Sequence, residues 1–366
     1  MGKSKMMGAG NACGSLYNSN PNLKTFGGNK KQGITSRIGL DLWTNHAIQT
    51  KSNGIGRKNE FCVNQLSSVS RRFARIDGVQ CPKISKNLNP IVTIFPIGTH
   101  PIAISAFGDY SWVVNSTDNT VSQLDVASLA VLNTILVGDL PYAISAKGDY
   151  VWVANLGDNT VSQIDAATHS VVATISVGTQ PSGIVSDGTY VWVTNQGDDT
   201  VSQIDISTQT VVATIPVGSQ PLGIGSSGPY VWVANSNGST VSQIDTTTQS
   251  VIHTIPVGMN PLQIATNGTY VWVTNNGSMS VSQIDIATHA VVETITVGLA
   301  PFGITVSGGH VWVGNVNDNT ISKINFVAHS IQTLTVTYLP AGILYYGSKL
   351  WICNFFHDVL TVISNF

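Results

Sequence analysis

Short apolar runs separated by polar turn residues recur along this chain in blocks of about 40 residues. Each block begins with a Pro and carries a Trp that is followed three residues later by an Asn. A fixed period of this length indicates a repeat architecture, in which each block is one unit of supersecondary structure. The Trp–Asn pairs are Trp112–Asn115, Trp152–Asn155, Trp192–Asn195, Trp232–Asn235, Trp272–Asn275, Trp312–Asn315 and Trp351–Asn354.

The block that begins at Pro181 shows which elements to expect. No apolar run in it is long enough for a helix, and none has a period of 3.6 residues. Val, Ile, Thr, Tyr and Trp favour strands, whereas Gly, Asp and Asn favour tight turns. The block therefore predicts four strands, at Gly183–Val185, Tyr190–Thr194, Thr200–Asp205 and Val211–Val217.

These strands are apolar on both faces. From Tyr190 to Val193, neighbours that point to opposite sides of the strand are all large and apolar. A sheet with one wet face would show alternating polar residues instead. Each four-stranded unit is therefore predicted to pack between two others, as the blades of a β-propeller do.

The two ends of the repeat region predict that the ring closes. The last unit contains only three strand-like runs, Ala341–Tyr345, Lys349–Asn354 and Leu360–Ser364. Upstream of the first unit, Ile91–Gly98 matches the fourth run of the other units, so it can complete the last blade. Closure would remove the exposed edges of an open array.

The predicted fold is all-β, with a seven-bladed propeller at residues 91–366 and a basic, largely irregular N-terminal arm at residues 1–90. The Tyr-Val-Trp-Val-Thr-Asn segment at 190–195 and the link from Val217 to Ile224 resemble the YVTN-type (YncE-like) family of seven-bladed propellers. The repeats are also similar to NHL-like and streptogramin-lyase-like propellers. The resemblance implies the fold and leaves function open, because propellers host many unrelated activities.

The distribution of charged residues also changes at the boundary between residues 90 and 91. Residues 1–90 hold 14 of the 17 Lys and Arg residues and three acidic residues, a formal charge of +11. Residues 91–366 hold three Lys and 16 acidic residues, a formal charge of −13. Such asymmetry suggests that the arm meets a protein partner or another acidic surface, with nucleic acid as a further candidate. The candidate partner-binding residues are Lys30, Lys31, Arg57, Lys58, Arg71, Arg72 and Arg75.

The arm has three open interpretations: a solvated tail, an electrostatic anchor or a targeting segment. No apolar stretch follows Lys3 and Lys5, so no secretory signal is recognised, and no segment is long and apolar enough to span a membrane. Asn20–Ile34 and Asn59–Arg72 resemble N-terminal segments of proteins from large DNA viruses. We therefore expect a virion-associated or intracellular protein.

Catalytic chemistry should show as one blade that departs from the others. The sequence Val-Ser-Gln-Ile-Asp recurs unchanged in four blades. Because the Asp is the same in each, we expect it to accept hydrogen bonds that close a turn, at Asp165, Asp205, Asp245 and Asp285. No Ser-His-Asp order, phosphate-binding loop or pair of carboxylates stands out. The sequence thus predicts no catalytic residue, metal ligand or cofactor.

The residues just before each block's Pro vary most, and variation on a constant scaffold is where a binding surface would lie. Unconstrained drift of the links is the alternative. The candidate ligand-binding residues at one channel mouth are His100, Asp139, Gln180, Gln220 and Asn260.

Two functional hypotheses follow. The first is a non-enzymatic binding or structural module attached through its arm. The alternative is a lyase-like or hydrolytic enzyme resembling the streptogramin lyases, which would need a His, a nearby acid and a metal. Self-association through the oppositely charged arm and propeller is a further possibility.

Overall fold

The computed structural model describes residues 90–365, which form seven four-stranded antiparallel sheets. Each inner strand packs against the next around the ring, and the last packs against the first. The predicted seven-bladed, all-β fold is therefore confirmed. The candidate residues of the arm lie outside the described part of the chain, and the boundary between arm and propeller stays a prediction.

The strands of blades 1 to 7 follow one order from the channel outward. The inner strands are β2 (Pro101–Phe107), β6 (Pro141–Lys147), β10 (Pro181–Ser186), β14 (Pro221–Ser227), β18 (Pro261–Thr266), β22 (Pro301–Ser307) and β26 (Ile343–Tyr346). The second strands are β3 (Tyr110–Asn115), β7 (Tyr150–Asn155), β11 (Tyr190–Asn195), β15 (Tyr230–Asn235), β19 (Tyr270–Asn275), β23 (His310–Asn315) and β27 (Lys349–Asn354).

The third strands are β4 (Thr120–Asp125), β8 (Thr160–Asp165), β12 (Thr200–Asp205), β16 (Thr240–Asp245), β20 (Ser280–Asp285), β24 (Thr320–Asn325) and β28 (Val359–Ser364). The outer strands are β5 (Val131–Leu136), β9 (Ser170–Ser176), β13 (Thr210–Pro216), β17 (Ser250–Pro256), β21 (Ala290–Thr296), β25 (Ile331–Thr335) and, in blade 7, β1 (Ile91–Pro96). Two 3₁₀ turns occupy Asn276–Ser278 and Val316–Asp318.

The core lies between the blades rather than within one sheet. Trp192 of blade 3 is fully buried, and its cluster includes Ile224, Val231 and Val233 of blade 4. Burial against a neighbour on each side explains why the strands are apolar on both faces.

The ring closes through β1, as predicted. Its residues pair antiparallel with β28, from Ile91 opposite Ser364 to Pro96 opposite Val359. The strand ends at Pro96 rather than Gly98, but the Ile97 amide still donates to the Asp358 carbonyl at 3.0 Å. The last inner strand begins at Ile343, two residues later than predicted.

The repeated Asp residues close turns, as the sequence predicts. Asp165 Oδ1 accepts hydrogen bonds from the amides of Ala167 and Thr168, at 2.9 and 2.7 Å. These bonds, led by the one from the Thr168 amide, hold the pKa of the carboxyl below its usual value. In blade 6 the equivalent Asn325 Oδ1 accepts hydrogen bonds from the amides of Val327 and Ala328, so a neutral amide oxygen can also close this turn.

Candidate binding face of the propeller

One face of the ring consists of the links from each outer strand to the next inner strand, together with the turns between second and third strands. We call it the link face. In blades 1 to 6 the residue before the Pro is held in the left-handed region, with φ between 47° and 54°, which residues other than Gly rarely adopt. These residues are His100, Leu140, Gln180, Gln220, Asn260 and Ala300.

Hydrogen bonds from both neighbouring blades fix the links. The Gln180 amide donates to Asn159 Oδ1 of the preceding blade, at 2.8 Å. The Thr179 amide donates to Asp198 Oδ2 of its own blade, at 2.5 Å. The Thr179 hydroxyl also donates to Asp198, and these two bonds lower the pKa of that carboxyl. The short polar residues of the turns are therefore part of the scaffold.

The five channel-mouth candidates all lie in links on this face. Asp139 stands one position earlier than the other four, so it corresponds to Thr99 and Thr179 rather than to Gln180. Its amide donates to Asp158 and its carboxylate accepts from Asn119 Nδ2, which gives Asp139 a structural role in the link.

The other candidates present exposed or partly exposed side chains at equivalent positions. Gln180 lines a shallow depression between blades 2 and 3 with Leu156, Asn159 and Thr179. Gln220 and Asn260 are exposed. Their binding role stays a prediction.

His100 belongs to an aromatic cluster where blade 7 meets blade 1. Its ring stacks on Phe355 at 4.6 Å and meets the edge of Phe356 at 6.5 Å. The rings of Phe355 and Phe356 are 4.8 Å apart and nearly perpendicular. Tyr338, in the link between blades 6 and 7, forms a second ring pair with His357 of the same turn as Phe355 and Phe356, at 4.4 Å. We call these five residues the seam cluster.

The seam cluster arises where one turn departs from the repeat. Phe355–Asp358 occupy the positions of Gln-Gly-Asp-Asp at 196–199 in blade 3. Asp358 keeps the scaffold role, because its Oδ1 accepts from the His100 amide at 2.9 Å. Phe355 packs against the core of blades 1 and 2, whereas Phe356 is 64% exposed. A large aromatic side chain thus stands on a surface where several other blades have Gly.

Sequence reasoning singled out His100 and missed its partners. The signal was present, since the turn after Asn354 reads Phe-Phe-His-Asp, whereas the equivalent turns of the other six blades contain no aromatic residue. The proximity of His100 to this turn follows from ring closure, because the residues are more than 250 positions apart.

The channel itself is narrow. A cavity of about 140 Å³ is lined by Ile residues of every blade except blade 5, together with Tyr142, Gln263 and Phe302. Burial raises the pKa of Tyr142, so this phenol stays neutral and can donate a hydrogen bond. The space fits a few water-sized groups.

Metal-ligating side chains do not converge within residues 90–365, where no three His, Cys, Asp or Glu residues are grouped closely enough to hold an ion. Over the same residues, no helix has the length and apolar character needed to cross a membrane.

Seven four-stranded blades, with an N-terminal strand that completes the last one, define a seven-bladed β-propeller. Residues 223–310 match the family model of the YncE-like β-propellers. With the ring of seven blades, this match supports the resemblance to the YncE-like propellers that the sequence predicts.

Two solved structures share this fold at low sequence identity. Hydrazine synthase of Kuenenia stuttgartiensis is similar with a TM-score of 0.65 and 17% identity, over 73% of this chain and 96% of that one. A streptogramin B lyase structure is similar with a TM-score of 0.68 and 16% identity, over 75% of this chain and 97% of that one. Curated protein sequences gave no significant match. These similarities concern the fold.

Proposed function

We propose that this propeller is a non-enzymatic binding module that holds a protein partner on the link face, at the seam cluster. The observation that carries the proposal is Phe356, a large apolar side chain that is 64% exposed in a turn where the repeat has small or polar residues. Aromatic residues with one covered and one open side are typical anchors of protein interfaces.

The chemistry of the cluster indicates what the partner presents. Phe355 and His100 form a stacked base, and Phe356 stands beside them with its ring turned across theirs. An apolar or aromatic side chain of a peptide segment would bury its surface against these rings. Asp118 and Asp318 lie on the same face, and the propeller is acidic, so positively charged flanking residues would help.

Replacing Phe356 by Gly, the residue found at this turn position in blade 3, should remove the anchor without disturbing the turn. We expect peptides selected from a displayed random library on the full-length protein to bind the F356G variant at least about tenfold more weakly. This loss of affinity is the size expected when one aromatic contact is removed. Isothermal titration calorimetry with the selected peptides measures the dissociation constants for the variant and the parent protein.

The matched control is Val327→Ala, because Val327 is 89% exposed in a turn on the opposite face. Selected peptides should bind V327A and the parent protein equally. Peptides that bind F356G as tightly as the parent protein would refute the seam cluster as the recognition surface.

We further propose that the basic arm at residues 1–90 attaches the protein electrostatically to an acidic protein surface. Its support is the charge division between +11 and −13. Deletion of residues 1–90 should abolish binding to an immobilised acidic polypeptide such as polyglutamate. Binding of the full chain should weaken steeply as salt rises from about 50 to 200 mM. Binding that survives the deletion, or that does not change with salt concentration, would contradict this role.

The virion-associated or intracellular location of the protein stays a prediction.

The alternative, a lyase-like enzyme, would require polar side chains of individual blades to converge on the channel mouth. The blade-specific residues found beside the mouth are mainly aromatic, and the likeness to the streptogramin B lyase is one of fold. No specific contact among residues 90–365 favours this alternative over the binding module.

A further inference from the structure

The outer strands differ in how regularly they pair with their neighbours. In blades 1 to 5 the register between third and outer strand shifts by one residue, which is the mark of a β-bulge. The outer strands β25 and β1 pair without a shift. Bulges discourage edge-to-edge pairing, so blades 6 and 7 lack a protection that the other blades have.

Of the two regular edges, β1 is the more apolar. It contains no charged residue, and Ile91, Val92 and Ile94 are 55%, 52% and 39% exposed. In β25 the exposed residues include Gln332 and Thr333. An uncharged, unbulged strand with exposed β-branched residues is suited to accept another strand.

The main-chain groups of β1 that face outward can be assigned from the pairing. The Ile97 amide donates to the Asp358 carbonyl, so position 97 faces β28. Because main-chain groups alternate in direction along a strand, Val92 and Ile94 direct their N–H and C=O groups away from β28. Pro90 and Pro96 fall on the same outward side and carry no N–H.

We propose that β1 pairs antiparallel with β1 of a second copy of this chain, about a two-fold axis at Thr93. In this register Val92 lies opposite Ile94 of the other copy, and each exchanges N–H···O bonds with its counterpart. Pro90 lies opposite Pro96 of the other copy. The two positions without an N–H therefore face each other, and neither is placed opposite a residue whose carbonyl needs that donor. The two closing blades would then form one continuous sheet with an isologous interface.

The symmetry of the two prolines about Thr93 selects this register. A shift of two residues would place Pro96 opposite Val92 of the other copy, whose carbonyl would then lack a donor. The strand is six residues long, about 20 Å, so the contact is small and the association depends on concentration.

The first test is a cross-link at the two-fold axis. In the proposed register, Thr93 faces Thr93 at a non-hydrogen-bonded position, where Cα atoms about 4.5 Å apart are within disulfide reach. Thr93→Cys in full-length protein with Cys13, Cys62 and Cys81 changed to Ser should form dimers under mild oxidation at least about tenfold faster than Val172→Cys in the same background. Val172 is 47% exposed on the bulged strand β9. Equal rates would overturn the proposal.

A second variant removes an outward hydrogen bond without touching β28. Ile94→Pro deletes the Ile94 amide, and sedimentation equilibrium should show a dimer dissociation constant raised at least about tenfold. Unchanged tryptophan fluorescence and melting temperature would verify that the ring is intact. An unchanged dissociation constant in that folded variant would overturn the pairing.

Deletion of residues 1–89 distinguishes pairing of β1 with a second copy from coverage of β1 by the chain's own N-terminal residues. If β1 pairs with a second copy, the rate of cross-linking through Thr93→Cys should stay within about twofold after the deletion. A rate that rises more than about tenfold would mean that the chain's own N-terminal residues cover the strand, and would overturn the proposal.

Discussion

Deleting residues 1–96 is expected to lower the melting temperature of the propeller by about 10 °C, whereas deleting residues 1–90 should change it by less than about 2 °C. The larger deletion removes β1, exposes the length of β28 and uncovers the core beside Trp351, against which Phe95 packs. Loss of a large aromatic contact and a strand ladder costs about 3–5 kcal/mol, and in a domain of this size each kcal/mol shifts the melting temperature by about 2–4 °C.

Thermal unfolding followed by circular dichroism compares the two truncations directly. They differ by six residues, so a difference in melting temperature belongs to β1 and not to the charge or length of the arm. Equal melting temperatures for the two proteins would mean that β1 does not close the ring in solution.

The next largest effect is expected at the repeated Trp. Trp232 is fully buried and packs with Val241, Ile264 and Val273 between blades 4 and 5. Trp232→Ala leaves a cavity that the surrounding strands cannot collapse into, so we expect a loss of about 3–5 kcal/mol in the free energy of unfolding. Urea denaturation measures it, and a midpoint unchanged from that of the parent protein would contradict this packing.

Trp to Phe substitutions separate packing from hydrogen bonding. The Trp232 indole N–H has no acceptor among the described residues, so Trp232→Phe removes volume alone. The Trp192 indole donates to Asp187 Oδ2 at 2.9 Å, so Trp192→Phe also removes this hydrogen bond, while Asp187 Oδ1 keeps the Thr189 and Tyr190 amides. We expect Trp192→Phe to cost about 1 kcal/mol more than Trp232→Phe.

The fold was predictable because the sequence pattern of one blade occurs in seven related versions along the chain. The short apolar and β-branched runs and the turn residues between them specify the four strands, and the unpaired segment near Ile91 specifies the closing strand. The left-handed links were not predictable, since Gln180 and His100 adopt a conformation that their own preferences disfavour and that hydrogen bonds from neighbouring blades impose.

The seam cluster was only half predictable. His100 could be selected as a unique residue at a variable position, but its ring partners come from the other end of the repeat region. The bulges of the outer strands also left no clear trace in the pattern, because an extra Val such as Val172 or Val212 reads as an ordinary strand residue.

The direction of β1 sets the two ends of the molecule apart. Its last residue, Pro96, lies at the link face, and its first, Ile91, lies opposite Ser364 at the other face. The first residue of β1 therefore lies at the face of the ring opposite to the one that carries Phe356.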